Sequence, residues 1–162
     1  MNAYAEFSEY ASIHGGGITE QQFNRLRFDA VAIVNDITTG VDGVCKLRVA
    51  FPSDEYDAEA VRRCVYKLIS TAASNEAAAS AQGFIQRDDG TVASKLVSSV
   101  SSGSESVSYA DSVLSSVTAS SRYLSAATQA KEYRAIARGM LANLHDANGV
   151  PLLYMGRYPR VR

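Results

Sequence analysis

Apolar residues recur along much of this chain in steps of three and four, the spacing that gathers them on one face of an α-helix. The clearest run is Phe23, Leu26, Ala30, Ile33, Val34 and Ile37, with Arg25, Arg27, Asp29 and Asp36 falling largely on the other faces. In front of it, Thr19-Glu20-Gln21-Gln22 matches a capping box, with Thr19 at the N-cap and Gln22 at N3, and Ile18 is placed to staple onto Phe23. Thr38-Thr39-Gly40 ends the run, so a helix is predicted over 19–38. A second helix is predicted over 55–81, with Ser53 or Asp54 as its N-cap and Val61, Cys64, Val65, Leu68, Ile69 and Ala72 as its buried stripe. Beyond Ala72 the sequence turns to alanine, which favours a helix but offers little to bury and lets another helix or subunit come close. A third helix is predicted over 123–145, from Tyr123, Ala126, Ala127, Ala130, Tyr133, Ile136, Ala137, Met140, Leu141 and Leu144. Lys131, Arg134 and Arg138 take its solvated side, and Asn148-Gly149 stops it. Near the start, Tyr4, Phe7 and Tyr10 make a short helical stripe within residues 3–13, which Gly15-Gly16-Gly17 breaks.

Three stretches lack this period. Residues 40–53 read as a connection, with a short helical or extended piece inside it. Residues 84–122 form an excursion that opens with a turn signal at Asp88-Asp89-Gly90 and becomes crowded with serine from Ser94 onward. Within it, Val107 and Tyr109 alternate with Ser106 and Ser108, a period of two that predicts a short strand, and Val113, Leu114 and Val117 allow a weak helix. The apolar positions are too regular for a plain linker and too sparse for a core, so this stretch is expected to find its packing partner outside its own subunit. The last stretch, 150–162, is an extended arm by expectation. Pro151 and Pro159 forbid a continuous helix, and the arm is apolar and aromatic first, then basic.

The fold class is therefore all-α. It comprises three main amphipathic helices in a small bundle, a short N-terminal helix, a long serine-rich excursion with a short β segment, and an extended C-terminal arm. Residues 1–149 form the helical domain and 150–162 the arm. With 162 residues, 46% hydrophobic and 20% charged, the chain is one domain with enough apolar surface to bury a core. A formal net charge of -1 argues against a dedicated nucleic-acid binder, which needs a concentrated basic face. Cys45 and Cys64 are too far apart in a chain of this kind to read as a disulfide framework, and Cys64 falls on an apolar helix face as a small hydrophobe. The first residues have neither the basic nor the apolar region of a signal peptide, and no apolar run approaches the ~20 residues that span a bilayer. The expectation is a soluble protein made in a cytoplasm, without membrane contact.

No catalytic constellation stands out. HExxH, CxxC, GxSxG and the phosphate-binding P-loop pattern are missing from the sequence. The triple glycine follows no strand and precedes no Lys-Ser/Thr, so a helix stop fits it better than a phosphate cradle. His14 and His145 stand at predicted helix ends, where capping is the expected role. Asp54, Glu55, Asp57 and Glu59 crowd a predicted first turn, where acids oppose the helix dipole, and that reading is preferred over a metal site. Asp88-Asp89-Gly90 lacks calcium-loop spacing. Neither an enzyme nor a cofactor is expected. The basic end, Arg157, Arg160 and Arg162, has three readings: a weak nucleic-acid contact, a peptide arm docking onto an acidic partner surface, and a tail folded back on its own helices.

Three pieces carry a resemblance. They are Gly15-Gly16-Gly17-Ile18-Thr19-Glu20-Gln21-Gln22-Phe23, whose helix closes on Ile37-Thr38-Thr39-Gly40; Ser104-Glu105-Ser106-Val107-Ser108-Tyr109-Ala110; and Gly149-Val150-Pro151-Leu152-Leu153-Tyr154-Met155-Gly156-Arg157. In that order, with helices between them, they resemble the head–tail connector proteins of long-tailed bacteriophages, also called head-completion or adaptor proteins. The serine run from Ser98 to Ser104 and the basic end from Tyr158 to Arg162 are longer than the family's pattern. The resemblance implies a small α-helical virion protein without enzymatic activity, located in the neck. Copies of such proteins assemble as a ring, usually of twelve, beneath the portal. The ring extends a channel through which DNA passes without sequence-specific binding, and it receives the downstream neck or tail-terminator protein. By position, Leu152, Leu153, Tyr154, Arg157, Tyr158, Arg160 and Arg162 would contact the portal. Glu105, Val107, Tyr109 and Asp111 would lie between subunits or face the channel. The alternative is a monomeric helical binding module that uses its basic C-terminal tail for DNA or an acidic protein partner.

Overall fold

The computed structural model describes residues 4–81, 84–86, 92–94 and 125–159. They form helices α1 (Phe7–His14), α2 (Glu20–Ile37), α3 (Lys46–Val49), α4 (Glu55–Ala81) and α5 (Ala126–Leu141), with two short strands between α4 and α5, β1 (Phe84–Gln86) and β2 (Val92–Ser94). The described chain is mostly helical. It divides into two compact units: one holds residues 1–73 and 132–162, the other 74–131.

In the first unit, local chemistry sets the helix ends. Gly15 closes α1 in the left-handed region (φ 73°) and returns its N–H to the Ala11 carbonyl at 2.9 Å. Thr19 opens α2 with the expected capping box: its Oγ1 accepts from the Gln22 N–H (3.3 Å), and Gln22 Oε1 accepts from the Thr19 N–H (3.1 Å). Asp54, rather than Ser53, caps α4, its Oδ2 accepting from the Asp57 N–H at 3.1 Å. The expected stripes meet in one hydrophobic cluster: Phe23, Leu26, Ala30, Val34 and Ile37 from α2, Val61, Cys64, Val65, Leu68 and Ile69 from α4, Ala137 and Leu141 from α5. Each fully buried aliphatic side chain here contributes about 1.5–3 kcal/mol. Tyr10 joins from α1 against Phe23 and Tyr66, with ring centroids 5.3 and 5.9 Å away.

Two differences from the sequence reading concern this unit. Helix α5 stops at Leu141 instead of 145. Asp146 explains the early stop: its buried carboxylate Oδ1 accepts from the N–H groups of Asn148 and Val150, both at 2.9 Å, a local turn that competes with helix. Residues 150–158 are also not a free arm. Leu152 is fully buried in the helical cluster, and its N–H donates to the Leu144 carbonyl at 2.9 Å. The boundary at 149 falls inside a compact unit, because the burial of Leu152 outweighs the extended backbone that the prolines impose.

The second unit contains the end of α4, the start of α5 and the two strands, paired antiparallel with Phe84 opposite Ser94 and Gln86 opposite Val92. The Asp88-Asp89-Gly90 signal lies between them but outside the described residues, as do Glu105, Val107, Tyr109 and Asp111. No helix among the described residues is long and apolar enough to cross a membrane.

Candidate functional site

The C-terminal segment and the loop after α2 build one surface. Asp42 sits in the 40–45 loop. Its Oδ1 accepts from the Val44 N–H at 3.2 Å and its Oδ2 from the Tyr158 N–H at 2.7 Å. The bond from Tyr158 holds the Asp42 carboxyl below its usual range. The Tyr158 hydroxyl donates to Asp146 Oδ2 and accepts from Asn148 Nδ2 at 2.9 Å. Burial, with the neighbouring Asp146 carboxylate, pushes that phenol upward. Between these contacts the Val41 N–H donates to the Met155 carbonyl at 3.1 Å. Two glycines permit the close fit. A Cβ on Gly40 would stand 2.7 Å from the Gly156 carbonyl oxygen, and a Cβ on Gly156 would collide with the Tyr154 ring.

This geometry leaves apolar side chains in solvent. Val41 is 75% exposed, Met155 54% and Tyr154 47%, and Arg157 beside them is exposed too. Large apolar groups that stay outside while the backbone beneath them is fixed by hydrogen bonds form a surface suited to docking.

Beneath the loop lies Lys46, 1% exposed. Its Nζ donates to the Thr38 carbonyl at 3.1 Å, at the C-terminus of α2, where the helix dipole favours a cation. Burial lowers its pKa, while Asp42 and Asp146 act in the opposite direction. A second polar cluster ties α1 to α4. The Tyr66 hydroxyl donates to Glu9 Oε2 at 2.6 Å and accepts from the Glu6 N–H at 3.1 Å. Burial, then the Glu9 bond, pushes the Tyr66 phenol up to about 12.

The sequence-derived candidates sort unevenly. Tyr154 and Arg157 are exposed, Leu153 and Tyr158 half-buried, and Leu152 is a core residue rather than a contact residue. Arg160 and Arg162 lie outside the described residues. His14 does end α1 and stacks on Tyr10, centroids 4.8 Å apart. His145 lies beyond α5, and its backbone N–H donates to Asp57 Oδ2 at 3.0 Å. Three acids near the start of α4, Asp54, Asp57 and Glu59, have structural partners. Asp54 caps the helix, and Glu59 pairs with Arg63 at 2.8 Å, which lowers its carboxyl pKa. Among the described residues no three acids, histidines or cysteines group to hold a metal ion. Cys64 is buried, and that burial raises its thiol to about 12, the behaviour of a hydrophobe and not of a nucleophile. Asp42, Lys46 and Asp146 belong to no periodic pattern in the sequence; the Asp146-Ala147-Asn148-Gly149 turn pattern is the one signal that marks the last. No family model, curated protein or solved structure matches this chain.

Proposed function

We propose that the chain is a structural virion protein, a head–tail connector. Copies of it form a ring, dodecameric by the family pattern, beneath the portal of a DNA-filled capsid. The ring extends the DNA channel and gives the downstream neck or tail-terminator protein its docking surface. The observation that carries this reading is a coincidence of place. Two residues of the exposed ridge, Tyr154 and Met155, fall in the third piece of the resemblance, residues 149–157, which also holds the exposed Arg157; Val41 joins them from the loop after α2. In this reading the helices form a small bundle, Leu153, Tyr154, Arg157, Tyr158, Arg160 and Arg162 face the portal, and the stretch around Glu105 to Asp111 meets neighbouring subunits or the channel.

The test mixes purified full-length protein with portal rings, followed by co-sedimentation and electron microscopy. Rings and portal binding are expected of the wild type. Tyr154→Ser with Met155→Ser should abolish portal binding while leaving the circular dichroism unchanged, since both side chains face solvent. A wild-type protein that neither forms rings nor binds portal overturns the reading. If it instead binds DNA in a salt-sensitive way, lost when Arg157, Arg160 and Arg162 become alanine, the monomeric binding module takes its place.

A further inference from the structure

The last described residues are held in two chemically different ways. Up to Leu153 the hold is apolar: Leu152 is fully buried, and Leu153 packs on the same cluster. From Tyr154 to Pro159 no residue belongs to that cluster, and hydrogen bonds tie the segment to the rest of the unit. Two kinds of polar hold exist there. One is the Val41 N–H on the Met155 carbonyl. The other converges on Tyr158, whose N–H is on Asp42 and whose hydroxyl sits between Asp146 and Asn148. Lys46 is the cation whose charge acts on both carboxylates.

We propose that Tyr158 is the pin of a latch, through which residues 154–159 open and close as a unit on a helical core that stays folded. Asp42 lies in the loop after α2 and Asp146 in the turn after α5, so one side chain and its own amide bridge two separate pieces of backbone. Closed, the latch fixes Tyr154 and Met155 beside Val41 and presents them as one ridge. Open, it dissolves the ridge without disturbing Leu152. Tyr158 is thus a positioning residue for this surface, and it acts whatever partner the surface takes.

Amide hydrogen exchange on the full chain at neutral pH tests this. The Val41 amide reports the strap from the opposite side, and the Leu152 amide, bonded to the Leu144 carbonyl, reports the core. Tyr158→Phe removes only the hydroxyl contacts. It should lower protection at Val41 and at position 158 by roughly ten- to hundredfold, the worth of a hydrogen bond to a charged group, and leave Leu152 unchanged. Unchanged protection at Val41, or loss at Leu152 in step with it, overturns the latch. Should Tyr158→Phe fail to fold, Asn148→Ala gives the same reading in weaker form, because it removes the donor to the Tyr158 hydroxyl at a position remote in sequence from the Val41 amide.

Discussion

Leu152 and Tyr66 show how a single side chain can change the meaning of the segment around it. Leu152 stands between Pro151 and an aromatic, basic end, a context that reads as an arm; yet its side chain completes the helical core. Leu152→Ala should cost about 2–5 kcal/mol, the range for a buried leucine truncated to alanine, seen as a lower midpoint in denaturant. Tyr66 lies on α4 outside its apolar stripe and is 1% exposed, and its hydroxyl reaches Glu9. Its phenol titrates near 10 when unfolded and near 12 when folded, so the folded state keeps the proton longer. Stability that is intact below pH 10 is therefore lost as the pH rises toward 12. Tyr66→Phe should be less stable than wild type at pH 7, by about 1.5–3 kcal/mol. It should also lose less stability between pH 10 and 12, where Cys64 and the raised phenols of Tyr4 and Tyr158 still contribute slope. A chemical-denaturation series across that range checks both statements. Cys64 was legible from its place in the apolar stripe. Lys46 was not, because a lone lysine in a connecting loop gives no periodic signal of burial.

Helices reveal themselves by period, and their ends by side-chain chemistry. α2 and α4 were legible in both respects, since a capping box and an aspartate mark their starts. Thr19→Ala should cost about 1 kcal/mol, measured by thermal or chemical unfolding, because two first-turn contacts depend on that hydroxyl and the geometry it sets. The end of α5 was misjudged because Leu144 continues the helical spacing while facing the core from a turn. The deciding interaction, the Asp146 carboxylate on two amides, is local and aperiodic. The strands at 84–86 and 92–94 were also missed. Three residues are too few to show alternation, and the turn signal between them identified only the reversal. The C-terminal surface was legible in its residue types and not in its partner, since Asp42 and Tyr158 are 116 positions apart.

The molecule is a discontinuous assembly. Its first unit is built from residues 1–73 and 132–162, with 74–131 inserted as the second. The boundary expected at 149, just before Pro151, lies within the first unit, and the division at 73 falls inside a continuous helix, where the sequence carries no break. The hydrophobic cluster joins side chains from both pieces of the first unit: Phe23, Val34 and Ile69 before the insertion, Ala137, Leu141 and Leu152 after it. This has a consequence for severed chains. A protease site engineered between residues 95 and 124, once cut, should yield two peptides that migrate separately in denaturing gels and elute together under native conditions. Co-expressed as two genes, the same peptides should find each other and reconstitute the helical signal of the intact protein, since neither carries a complete core without the other.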